Sequence, residues 1–126
     1  SFMYAPSAFG VMLKQAREDA DLSQLDLSIE LGKTAQYISN IEKGKNNSPP
    51  DDSDLQKLIS KLGLSAGDAE KFRLLAYADR GMLPPEMFKY VFECPSLLTL
   101  IGNAAKHEIS DDFWNRTLEN MNLKGI

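Results

Sequence analysis

Residues Leu22 to Gly44 read LSQLDLSIELGKTAQYISNIEKG. Ser23, whose side-chain oxygen can accept from the free amides of a helix start, precedes an apolar pair at Leu27 and Leu31, and Gly32 follows where that segment must stop. Thr34 repeats the start signal, Ile38 and Ile41 fall together on one side of the segment it opens, and Gly44 ends it. The spacing predicts two short helices joined by a tight, glycine-containing turn.

Outward from this stretch the same punctuation continues. Phe9, Leu13, Ala16 and Ala20 recur at helical spacing and predict a first helix over residues 7–19. Asn46 to Asp52, with Ser48, Pro49 and Pro50, reads as a loop into a fourth helix from about Asp51 to Leu62, which Gly63 stops. Ser65 with Asp68 reads as a capping box for a fifth helix to about Asp79, closed by Gly81. Pro84 and Pro85 then start a helix containing Met87, Phe88, Val91 and Phe92, which Pro95 interrupts. A further helix runs from Ser96 to about Lys106 with Leu97, Leu98, Leu100 and Ile101. Ser110, Asp111 and Asp112 open a last one carrying Phe113, Trp114, Leu118 and Met121. No strand pattern appears. The expectation is an all-α chain with a five-helix domain over residues 3–81 and an appendage of about three short helices over 82–126; Ser1 and Phe2, ahead of Met3, read as an addition.

The segment opened by Thr34 is polar on the side opposite Ile38 and Ile41. At 100° per residue Gln36, Ser39, Asn40 and Lys43 cluster there. A helix following a tight turn is shaped to enter the major groove of duplex DNA. The residue types suit that groove: Gln36 and Asn40 can each pair bidentately with adenine, Ser39 can serve several bases, and Ala35 and Tyr37 can reach thymine methyl groups or the sugar backbone. Gln24 at the start of the preceding helix, Lys33 and Thr34 at the turn, and Lys45, Asn46 and Asn47 after the segment are placed for phosphates. The competing reading of the same face is a solvated polar surface on a small helical protein.

From Leu22 to Lys45, and on through Leu55 to Ser65, the residues resemble the Cro and lambda-repressor-like (XRE) helix-turn-helix family, over about residues 7–79. The resemblance implies a five-helix all-α DNA-binding domain acting as a transcriptional regulator. It also implies a salt bridge between Arg17, late in the first helix, and Glu42, near the end of the third. Two departures stand out. Leu25 and Ile29 occupy positions usually charged in the family and form an apolar strip, which the helices after Pro84, from the same chain or a partner, are expected to cover. Lys33 stands where an apolar residue is usual, adding a charge beside the turn.

The net charge of −4 argues against attraction to phosphates by charge alone. Residues 7–47 hold five basic and six acidic side chains, a balance of −1, yet Lys33 to Lys45 alone carries three lysines against one glutamate, or +2. Specificity should therefore rest on base contacts and on a symmetric pair of recognition helices. The apolar groups of the last three helices, Phe88, Val91, Phe92, Leu97, Leu98, Ile101, Phe113 and Trp114, together with Leu25 and Ile29, are the expected dimer or partner interface. The alternative function is an antitoxin or accessory module whose C-terminal helices hold a different protein. Enzyme readings find little support: Cys94 lies in an apolar helix end, His107 is the one histidine, and the Asp51–Asp52 and Asp111–Asp112 pairs are explained by helix starts. No metal site, no cofactor and no membrane span is expected, and the composition suits a cytoplasmic protein.

Overall fold

The computed structural model describes residues 6–45 and 48–121 of the chain. These residues form eight helices and no strand: α1 (Ala8–Asp19), α2 (Gln24–Leu31), α3 (Ala35–Lys43), α4 (Asp52–Leu62), α5 (Ala66–Asp79), α6 (Pro85–Phe92), α7 (Pro95–Lys106) and α8 (Asp111–Asn120). The chain divides into two compact units, Ser1–Leu83 and Pro84–Ile126.

Each helix of the first unit begins on a side chain that accepts a backbone N–H. Ser7 Oγ accepts from Gly10 at 3.0 Å, Thr34 Oγ1 from Tyr37 at 3.2 Å and Ser65 Oγ from Asp68 at 3.2 Å. Full capping boxes form at α2 and α4, where the sequence predicts only a start. Ser23 Oγ accepts from Asp26 N–H at 3.0 Å while the Asp26 carboxylate accepts from Ser23 N–H at 2.8 Å, and Asp51 and Asp54 exchange the same pair of bonds at 2.8 and 3.3 Å. Gly32, Gly44 and Gly63 end α2, α3 and α4 in the left-handed conformation, at φ of 66°, 74° and 65°.

These caps carry a pH dependence. The Ser23 N–H, and then its hydroxyl, hold the Asp26 carboxyl below its ordinary value of 3.8. The Arg73 guanidinium does the same for Asp52, donating from Nε at 3.3 Å. A lowered carboxyl contributes its full stabilisation above the unfolded value and loses it as pH falls through the lower folded value. The first unit is therefore expected to loosen below about pH 4. In a circular-dichroism titration Asp26→Asn should make that acid transition shallower; an unchanged slope would remove the cap from the account.

The core of the first unit is drawn from all five helices: Phe9 and Leu13 of α1, Leu27 and Leu31 of α2, Ile38 and Ile41 of α3, Leu55, Leu58 and Leu62 of α4, and Phe72, Ala76 and Tyr77 of α5 are buried. The rings of Phe9 and Phe72 meet at 4.8 Å between centroids, tilted by 53°, and join α1 to α5. Truncating one of the fully buried leucines removes about 2–5 kcal/mol. The crossing of α1 and α3 is tighter still. A Cβ on Gly10 would stand 2.6 Å from the Ile41 carbonyl oxygen and 3.3 Å from that of Glu42, so glycine here lets two backbones touch. Gly10→Ala is expected to cost about 1–3 kcal/mol by forcing α1 off α3, despite the better helix propensity of alanine. A denaturant midpoint equal to wild type would show that the crossing yields freely.

The second unit is built differently. α6 and α7 pack on each other across the Pro95 break. No residue of α6, α7 or α8 is buried; Val91, Leu97 and Trp114 are half-buried. Phe88, Phe92, Leu98, Ile101 and Phe113 are exposed, Phe92 at 61%, and so are Tyr90, Leu100, Leu118 and Met121. Phe88 and Phe92 stack one turn apart at 4.9 Å, and Phe113 meets Trp114 edge-on at 5.0 Å.

Candidate nucleic-acid interface

The turn between α2 and α3 spans residues 32–34, with Gly32 in the left-handed region and the Lys33 N–H bonded to the Ser28 carbonyl at 2.9 Å. α3 is then fixed from beneath by Ile38 and Ile41 in the core. It is fixed at its C-terminal end by charge. Arg17 reaches from α1 to Glu42 with two parallel bonds, Nε to Oε2 at 2.8 Å and Nη2 to Oε1 at 3.0 Å, the fork geometry in which guanidinium and carboxylate bind most firmly. The Arg17 Nη1 donates to the Leu22 carbonyl at 3.0 Å, and Gln24 Nε2 donates to Glu42 Oε1 at 3.0 Å. The Glu42 side chain is only 3% exposed and that of Arg17 13%. Hydrogen bonding to Glu42 raises the Arg17 guanidinium pKa further. One carboxylate thus ties α1 and α2 to the end of α3.

A second tie holds α3 near its start. Tyr37 donates its hydroxyl to the Ser48 carbonyl at 2.8 Å, and the Lys33 ammonium lies 5.5 Å above its ring. The sequence places Tyr37 against thymine methyls or sugars and Gln24 against phosphates; the structure commits the Tyr37 hydroxyl to the segment after α3 and the Gln24 amide to Glu42. Neither commitment is legible in the sequence, because each partner lies more than ten residues away.

The polar side of α3 differs from the helical-wheel reading at one residue. Ser39 is buried, at 9% exposed, so its small side chain is withdrawn from the face it is expected to share. It stands next to Ile38 along the chain, and with no length to project beyond its neighbours it is covered with them. Gln36 and Lys43 are exposed, while Ala35 and Asn40 are half-buried. Gln36 Nε2 donates to Asn40 Oδ1 at 2.8 Å, one helical turn on, so the two amides form a single hydrogen-bonded unit. Of the residues expected at phosphates, Lys33, Thr34 and Lys45 are exposed, and Asn46 and Asn47 lie outside the described residues. Leu25 and Ile29, the α2 strip, are exposed at 57% and 70%, and no other helix of the first unit covers them. Among the described residues there is no group of three or more His, Cys, Asp or Glu able to hold a metal, and no helix is long and apolar enough to cross a membrane.

A helix-turn-helix family model matches residues 13–68, from the middle of α1 into α5. The family of that model is the Cro and lambda-repressor-like helix-turn-helix family, and the match is confined to the first unit. Its domain is of the DNA-binding, transcription-regulating kind, and α3 is the helix that follows the turn. No curated protein and no solved structure matches the chain.

Proposed function

We propose that this chain is a dimeric, sequence-specific repressor of bacterial or phage type, reading a palindromic operator with one α3 helix in each of two major-groove half-sites. The observation that carries the reading is α3 itself. Its inner edge is locked by Ile38, Ile41 and the Arg17–Glu42 pair, and its outer edge presents Gln36, Asn40 and Lys43. Such preorganisation suits base reading, because little order has to be created on binding. Lys33, Thr34 and Lys45 are assigned to phosphates, where they fix register without selecting sequence.

The exposed apolar groups of α6, α7 and α8 support the pairing. A unit in which Phe88, Phe92, Leu98, Ile101 and Phe113 are all exposed has not finished burying its apolar surface, and a second copy supplies what is missing. With a net charge of −4, one recognition helix binds weakly, and two on one two-fold axis combine their contacts. The same apolar face also favours a second reading, an antitoxin or accessory factor that holds a different protein there.

Selection of bound duplexes from a random pool, together with the mass of the protein in solution, tests both. Palindromic winners with half-sites about one helical turn apart, bound by a dimer, support the repressor. No enrichment and a monomer that associates only with another protein support the second reading. Within the first, Lys45→Ala should weaken binding to all duplexes alike and flatten the dependence of log K on log salt by about one unit. A loss confined to one operator sequence would move Lys45 from phosphate to base.

A further inference from the structure

From the bond between Gln36 and Asn40 we infer that the two amides of α3 do not read the same base: Gln36 is the adenine reader, and Asn40 selects a base that presents an acceptor, guanine or thymine. The inference rests on the DNA-binding reading proposed above and adds its chemical specificity. An isolated glutamine or asparagine offers an oxygen and two N–H donors, and adenine is matched by one acceptor, for its N6–H, beside one donor, for N7. On that count Gln36 and Asn40 are equivalent. The hydrogen bond makes them different. Gln36 Nε2 donates to Asn40 Oδ1 at 2.8 Å, which consumes one hydrogen of the glutamine and one of the two lone pairs of the asparagine oxygen.

After that bond Gln36 still has Oε1 and one N–H, the acceptor and donor that adenine requires. Asn40 is left with two unused N–H groups against one lone pair on an oxygen that already holds a hydrogen, so its balance shifts toward donation. Donation into that oxygen polarises the asparagine amide and strengthens its N–H donors. Guanine O6 and N7, or thymine O4, are the major-groove atoms that accept from such a group. Exposed Gln36 and half-buried Asn40 also differ in reach, the glutamine extending furthest from the helix. Four residues along a helix cover about 6 Å, against about 3.4 Å between stacked bases, so the two readers address bases one or two pairs apart. Lys43, three residues beyond Asn40, continues the donor character toward the end of α3. The half-site therefore has a polarity: an adenine under the start of α3, then acceptor-rich bases under its second half.

The test compares the full chain with Asn40→Asp and Gln36→Glu, using base frequencies in duplexes selected from a random pool and thermal unfolding to confirm that both variants fold. Wild type should select adenine at one position of each half-site by about 5- to 150-fold, and guanine or thymine one or two pairs away. Asn40→Asp still accepts from Gln36, so adenine should persist while the neighbouring preference turns to cytosine or adenine, whose amino groups donate. Gln36→Glu keeps an acceptor for adenine N6–H but loses the donor to N7, so the adenine preference should fall and cytosine, whose amino group it accepts equally well, should rise beside it. The opposite pattern, in which Asn40→Asp abolishes the adenine and Gln36→Glu leaves it, overturns the assignment, as does loss of preference at a single shared position in both variants. Failure of the underlying reading is distinct: wild type itself would then enrich no sequence.

Discussion

Arg17→Ala will lower the unfolding midpoint by on the order of 10–20 °C, the equivalent of about 3–5 kcal/mol. The size follows from what is left behind. Glu42 is 3% exposed, so removing its partner strands a carboxylate in the interior with only the Gln24 amide for company. An exposed ion pair would cost less than about 1 kcal/mol, and a loss of that size would show that water reaches Glu42 freely. The double replacement Arg17→Met, Glu42→Leu separates the two contributions. Because the cost lies mainly in the unpaired charge, the double variant should recover much of the stability that either single change loses. Its DNA binding should stay impaired, since Gln24 and the end of α3 lose their common anchor.

Phe92→Asp is the counterpart in the second unit. Phe92 is 61% exposed and stacks on Phe88, so a carboxylate there costs the single chain little. If α6 to α8 hold a second copy, the same carboxylate is buried without a partner in the interface and the dimer separates. Operator affinity should then fall by about 100- to 10,000-fold, while binding to an isolated half-site changes little. Sedimentation of the variant as a dimer with full operator affinity would place the subunit contact elsewhere.

The local features of the fold were legible and the cross-chain ones were not. Ser23, Thr34 and Ser65 as caps, and Gly32, Gly44 and Gly63 as stops, act over three or four residues, so a linear reading finds them. Residue spacing alone does not tell a full box from a single cap: an aspartate three residues after the cap completes the box at Asp26 and Asp54, whereas at Ser65, where the sequence predicts a box, only the bond from Asp68 N–H to Ser65 Oγ forms. Gly10 did leave a signal, a lone glycine within a helical pattern, whose meaning depends on the carbonyls of Ile41 and Glu42. In the candidate site, periodicity places residues on a face but not how deep they sit. Periodicity alone therefore turns Ser39 outward, whereas the fold buries it. The ties from Gln24 to Glu42 and from Tyr37 to Ser48 exist only once α1, α2 and α3 are assembled. The exposed helices beyond Pro84 show the same limit: their apolar residues announce burial without saying which molecule provides it.

The double fastening of α3, by Glu42 at its end and Tyr37 near its start, has a consequence for the duplex. A recognition helix that cannot swivel offers a rigid template, and if two copies pair as proposed, their templates present a fixed spacing and tilt. Any mismatch with straight B-form geometry has to be absorbed by curvature of the nucleic acid. Base steps midway between the half-sites, touched by no side chain, are then chosen for their pliability, with pyrimidine–purine junctions favoured over stiff adenine tracts wherever the template demands a bend.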